Sequence, residues 1–231
     1  MKYLFAVLLL IQGSISIAQS PTLIHDESYK DYSFWKFKAQ LEEAIIKKDI
    51  QLLAPLVADR LMMSDNLCPY EGCSKSFFLK DLEDTGSYYW QILEKITRFG
   101  FTYTESQDTK TPVAHDKQVF KGPSYINNIN TDTETIILGS NVNIRERASL
   151  KSKVIRQATF EKFNCDCNIT DQTETTYQDA DGLLWLEIKL GNGKVGYVAA
   201  KFTSSDFSTE LVIGKVNGNW KIISIYTPSG C

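Results

Sequence analysis

From Asp31 onward the apolar residues Phe34, Phe37, Leu41, Ala44 and Ile45 recur at i, i+3, i+7, i+10 and i+11, while Lys, Gln and Glu fill the intervening positions. This period predicts an amphipathic helix with one buried stripe, and Glu43 and Lys47 are spaced for an ion pair on its wet side. Asp49 is placed to cap a second, short helix running to Leu56, with Pro55 disturbing its inner turn. Ser87 is placed to cap a third, with Tyr89, Ile92, Leu93 and Ile96 on one face and Gly100 at its end. The pattern then shortens to strand alternation over 101–105, and strand-forming runs return at 210–216 and 220–226. Between those last two stands Asn217-Gly218, the strongest short hairpin signal available. Large apolar groups lie on both faces of that hairpin, so neither face can stay wet. Helices followed by a sheet predict an α+β unit, and the final hairpin is expected to complete it.

The middle of the chain reads differently. Residues 107–133 are rich in Lys, Asp, Asn, Pro and Gly with little periodicity, which predicts a linker. Beyond it Val142 and Ile144 alternate with Asn143 and Arg145. Leu184, Leu186, Ile188 and Leu190 fall on one strand face, expected to be core, and Trp185, Glu187 and Lys189 on the other. Cys165, Cys167 and Ile169 alternate with Asp166 and Asn168 as a further strand would.

The succession Val142-Asn-Ile-Arg145, Ala148-Ser-Leu-Lys-Ser152, Lys153-Val-Ile155, Trp185-Leu-Glu-Ile188 and Gly196-Tyr-Val198 resembles the bacterial SH3-like (SH3b) family over residues 133–205. That resemblance implies a small β-barrel that does no chemistry and tethers its protein to peptidoglycan, a peptide or another envelope ligand. Two departures stand out: Glu146-Arg147 where the family has small residues, and a long polar segment over 164–181. The helical half with its closing Gly218-Asn-Trp-Lys-Ile222 is similar to the cystatin-like α+β fold shared by nuclear transport factor 2. The expected organisation is therefore a signal peptide over 1–18, a helical α+β unit with linker over 19–132, an SH3-like barrel over 133–205, and a hairpin over 206–231 returning to the α+β unit. The barrel is then an insertion before the last hairpin.

The export expectation comes from the first residues. Lys2 precedes an apolar run from Tyr3 to Ile11 and the small residues of Ser16-Ile-Ala18, the layout of a cleaved secretory signal. The run is about half the roughly 20 residues that cross a bilayer, and no second long apolar segment follows, so no membrane span is expected. This places the protein in the periplasm or outside the cell. A net charge of −3 argues against a nucleic-acid partner.

In an oxidising compartment the five cysteines, Cys68, Cys73, Cys165, Cys167 and Cys231, are expected to pair and leave one over. Pro69 and Gly72 favour a turn that joins Cys68 to Cys73. A four-cysteine zinc site lacks the usual two-residue gaps, so neither metal nor cofactor is expected.

Candidate binding residues follow from the strand faces. Trp185 is either a recognition platform for a peptide or sugar, or a cover for the barrel end or the neighbouring unit. Arg145 is a ligand contact or a strand-edge ion-pair partner, Tyr197 belongs to a groove or to the core, and Asn143 shares the face of Arg145. No catalytic motif is present, and His25 and His115 lie in irregular segments. Cys68 or Cys73 with His115 has only the chain order of a cysteine peptidase. These readings give an exported, non-catalytic binding protein whose partner is a cell-wall glycan or peptide, or an envelope protein. The alternative is a cell-envelope enzyme or inhibitor with a cleft in the α+β unit lined by His115, Asp116 or Tyr103.

Overall fold

The computed structural model describes residues 24–63, 71–105, 112–167, 176–206 and 209–226. The proposed signal peptide, Cys68, Ile169 and Cys231 lie outside them.

Helix α1 (Tyr32–Lys47) begins where the Asp31 carboxylate accepts from the amides of Ser33 (2.7 Å) and Phe34 (3.0 Å), and it stops where Lys48 turns left-handed at φ 49°. Its buried residues are Phe34, Phe37, Leu41, Ala44 and Ile45, the apolar stripe of the sequence. Helix α2 (Ile50–Leu53) is capped by Asp49 and tightens into a 3₁₀ turn at Pro55. Helix α3 (Lys75–Asp81) was not expected, because only Phe78 of its seven residues is buried and so short a stripe has no legible period. Helix α4 (Tyr88–Arg98) is capped by Ser87 and buries Trp90, Ile92, Leu93, Ile96 and Thr97. Trp90, rather than Tyr89, carries the stripe, its indole donating to the Leu82 carbonyl (3.0 Å).

Strands β1 (Val57–Met62), β2 (Cys73–Ser74), β3 (Thr102–Glu105) and β4 (Gln118–Gly122) come from the first half. The middle supplies β5 (Glu134–Ile136), β6 (Val142–Arg145), β7 (Val154–Ala158), β8 (Lys162–Asn164), β9 (Thr176–Gln178), β10 (Leu184–Lys189) and β11 (Val195–Ala199). The end supplies β12 (Glu210–Val216) and β13 (Asn219–Tyr226). β4 lies inside the stretch read as a linker, which is corrected accordingly: Val119 and Phe120 are buried on opposite faces of a central strand, too short a run to show in a polar segment.

The fold is α+β with two sheets. The first has the order β2-β1-β13-β12-β4-β3, antiparallel except where β1 runs parallel to β13. Asn217 (φ 50°) and Gly218 (φ 77°) form the tight turn between β12 and β13. The helices cover one face of this sheet, where Phe34 stacks on Phe120 (centroids 3.5 Å apart) and Trp220 meets both rings edge-on (5.3 Å each). The other face holds Ala58, Val119, Val212 and Ile223, with Val113 packed on them and the Asp116 amide bonded to the Lys215 carbonyl (3.0 Å).

The second sheet, drawn from the chain between β4 and β12, has the order β5-β8-β10-β11-β6-β7, with β9 continuing along the β10 edge. It does not close, which corrects the expected barrel. The free edge of β5 faces residues 202–204 instead of β7: the Leu138 amide donates to the Phe202 carbonyl (2.7 Å), the Ile136 amide to Ser204 Oγ (2.9 Å), and Ile137 bridges Thr203. Its core contains Val142, Ile144, Phe163, Leu186, Ile188 and Val198. Leu184, expected among them, is 45 % exposed at the start of β10. Ile136, Leu138 and Phe160 pack into the first unit's core, so the two sheets share apolar contacts.

Cys165 and Cys167 are disulfide-bonded to each other and buried, but they follow β8 and are not themselves a strand. Cys73 is also disulfide-bonded. No described helix is long and apolar enough to cross a membrane.

Two measurements check this architecture. A Cβ built at Gly196 would lie 2.5 Å from Ile144 Cγ2, so Gly196→Ala is expected to cost about 1 to 3 kcal/mol by overpacking, read as a lower melting temperature. With five cysteines and two bridges, thiol counting on denatured, unreduced protein should find one free thiol.

Candidate polar face on the second sheet

Alternation in β6 turns Val142 and Ile144 into the core and leaves Asn143 and Arg145 half-buried on the outer face. Register then brings other strands' residues beside them. Tyr197 of β11 lies opposite Arg145, and Glu187 of β10 lies opposite Tyr197. β9 adds Tyr177, the register partner of Trp185. Arg145, Tyr197 and Glu187 thus form one row across three strands, with Tyr177 at its end.

Hydrogen bonds fix this row. Glu187 Oε2 accepts from both phenols, at 2.8 Å from Tyr197 and 3.2 Å from Tyr177, and the two rings meet edge to face at 5.3 Å. Burial, and then the adjacent Glu187 carboxylate, push the Tyr197 phenol up to about 12. Asn143 Oδ1 accepts from Gln157 Nε2 (3.0 Å). Arg145 donates to the Ser152 carbonyl (2.7 Å), and Ser152 Oγ accepts from the Arg147 amide (3.0 Å), so the unusual Glu146-Arg147 loop is closed by Ser152. Among the described residues no carboxylate forms an ion pair with Arg145, which therefore presents an unbalanced charge.

Trp185 is not an exposed platform. It is 1 % exposed, and its Nε1 donates to Asp179 Oδ2 (2.9 Å). The same carboxylate accepts from the amides of Leu183 (2.9 Å) and Asp181 (3.0 Å). The 179–183 turn is thereby tied to the ring, and the indole bond helps hold Asp179 below the ordinary carboxylate range. Parity placed Trp185 on the correct face, but a turn covers that end of it. Glu187 was legible as its neighbour two positions on, whereas Tyr177 lay in the long polar segment and only register reveals it.

The residues of the alternative cleft do not converge. The Tyr103 ring packs on Phe120 (4.8 Å), while His115 Nδ1 contacts its neighbour's carbonyl, Asp116 O (2.6 Å). His25 lines a separate cavity of about 310 Å³ with Asp26, Lys38, Glu42 and Arg98. Cys73, bonded in a disulfide, offers no thiolate.

No family model, curated protein or solved structure matches this chain at a significant level.

The raised phenol has a signed consequence. The unfolded tyrosine ionises near 10 while the folded one resists until about 12, so this contribution to stability is complete below pH 10 and lost between those values. Melting temperature measured over that window should fall less steeply for Tyr197→Phe than for the wild type. Parallel slopes would mean that the Tyr197 phenol is neither desolvated nor engaged by Glu187 in solution.

Proposed function

We propose that this chain is an exported, non-catalytic binding protein whose second sheet takes a cell-wall glycan or peptide, or another envelope ligand, on the face bearing Tyr177, Glu187, Tyr197, Arg145 and Asn143. The observation that carries this reading is the row itself. Two aromatic rings, a shared carboxylate and a guanidinium with no carboxylate partner among the described residues stand in register on a half-exposed strand face, which is the mixture of flat apolar surface and directed polar groups that recognition uses. The Val142-Asn-Ile-Arg145 signature of the SH3-like resemblance falls on the strand that contributes Arg145 and Asn143. Two disulfides suit an oxidising compartment and so support export. The helical unit, with its likeness to nuclear transport factor 2, serves in this reading as the scaffold carrying the second sheet.

Co-sedimentation with purified peptidoglycan sacculi tests the cell-wall ligand. The mature protein should pellet, while Arg145→Ala and Tyr197→Ala, truncations at the centre of the row, should each weaken binding roughly 10-fold. Wild-type protein left wholly in the supernatant would sink the cell-wall assignment. Trp185→Ala is not a test of binding, because it empties a buried site.

A further inference from the structure

A groove of about 500 Å³ opens between α1, α2 and the turn of the β12–β13 hairpin, away from the row on the second sheet. Its volume lies within the range of about 300–1,000 Å³ typical of small-ligand sites. Phe37, Leu56 and Trp220 form a buried apolar floor, and Gln40, Gln51 and Asn219 offer amide groups along exposed walls.

The floor is fixed before any ligand arrives. Trp220 Nε1 donates to Ser33 Oγ (2.9 Å), which in turn donates to Asp31 Oδ1 (2.5 Å). Lys215 binds the other Asp31 oxygen (2.9 Å) and lies over the Trp220 ring, 4.6 Å from its centroid. Burial works against the Asp31 charge, but the bonds from Ser33 and Lys215 hold its carboxyl well below the usual range.

The charges on the walls are not balanced. Lys36 and Lys221 both line the groove: Lys36 lies over the Tyr32 ring (4.7 Å) with no carboxylate partner among the described residues, and Lys221 donates to the Pro55 carbonyl and shares the field of Asp59 with Lys75, which holds that carboxylate directly (2.8 Å). Glu43, the one acid in the lining, is taken by Lys47 (2.6 Å). On a chain of net charge −3 this is a local excess of positive charge beside an apolar floor.

We propose that this groove binds a short peptide by its terminal carboxylate. The carboxylate is held by Lys36 and Lys221, an apolar side chain rests on Phe37, Leu56 and Trp220, and the wall amides pair with the peptide backbone. A simple inorganic anion would use the lysines and leave the floor bare, so the combination selects an anion with an apolar body.

Isothermal titration of the mature protein with N-acetyl-Ala-Leu-Ala, as the free acid and as the C-terminal amide, tests this directly, with inorganic phosphate as the control anion. The free acid should bind, the amide at least about 10-fold more weakly, and Lys36→Gln with Lys221→Gln should remove that difference. Lys221 also holds the Pro55 carbonyl, so Leu52→Asp, at a 38 % exposed wall position, supplies a second variant. It places a like charge beside the carboxylate and should abolish binding of the acid with the melting temperature unchanged. Loss of acid binding in Arg145→Ala with Lys36→Gln and Lys221→Gln unaffected would put the carboxylate on the row of the second sheet and overturn the proposal. Equal affinity for acid and amide, no binding of either, or binding of phosphate alone would overturn the proposal.

Discussion

Phe34 and Phe120 lie face to face, with Trp220 edge-on to both, and the rest of the first unit is arranged around that contact. The three rings come from the first helix, a central strand and the final hairpin. The chain must therefore return to its starting unit before this core is complete. Burying such rings supplies a large share of apolar stabilisation, and the edge-to-face geometry adds to the area term. The same cluster orients Trp220, whose indole nitrogen reaches Ser33 and so ties the helix cap to the hairpin. The cap, the hairpin and the adjoining groove are consequently one mechanical unit.

That return creates the second sheet's setting. Residues between β4 and β12 leave the first sheet and come back to it, so their entry and exit must lie close together. They do: Thr135 and Ser204 share a hydrogen bond between their hydroxyls (3.2 Å), and Ser205 donates to Thr135 as well (2.9 Å). Adjacent ends are what make an insertion tolerable to its host. This junction also consumes the β5 edge, which is why the sheet stays open, and it sends Ile136 and Leu138 into the host core. The outer face of β10, β11 and β6 takes no part in the junction and retains its polar row.

Much of this was legible locally. The α1 stripe, the caps at Asp49 and Ser87, and the Asn217-Gly218 turn each depend on residues within a few positions of one another, where sterics and hydrogen bonding leave few choices. Arg145, Asn143 and Glu187 were placed on their faces by parity alone. β4 was hidden because two buried residues in a polar stretch carry no period, and Tyr177 was hidden because nothing local says which strand lies beside it.

By itself the sequence determined the buried stripe of α1, the hairpin and the faces of Val142, Asn143, Ile144, Arg145 and Glu187, because these follow from backbone geometry over a single turn or pleat. Tertiary structure alone decided that β1 runs parallel to β13 and that the β5 edge meets residues 202–204. Each is a choice between distant partners of similar local chemistry. It is settled by which edges and rings meet once both sheets have formed, and no short-range pattern records that.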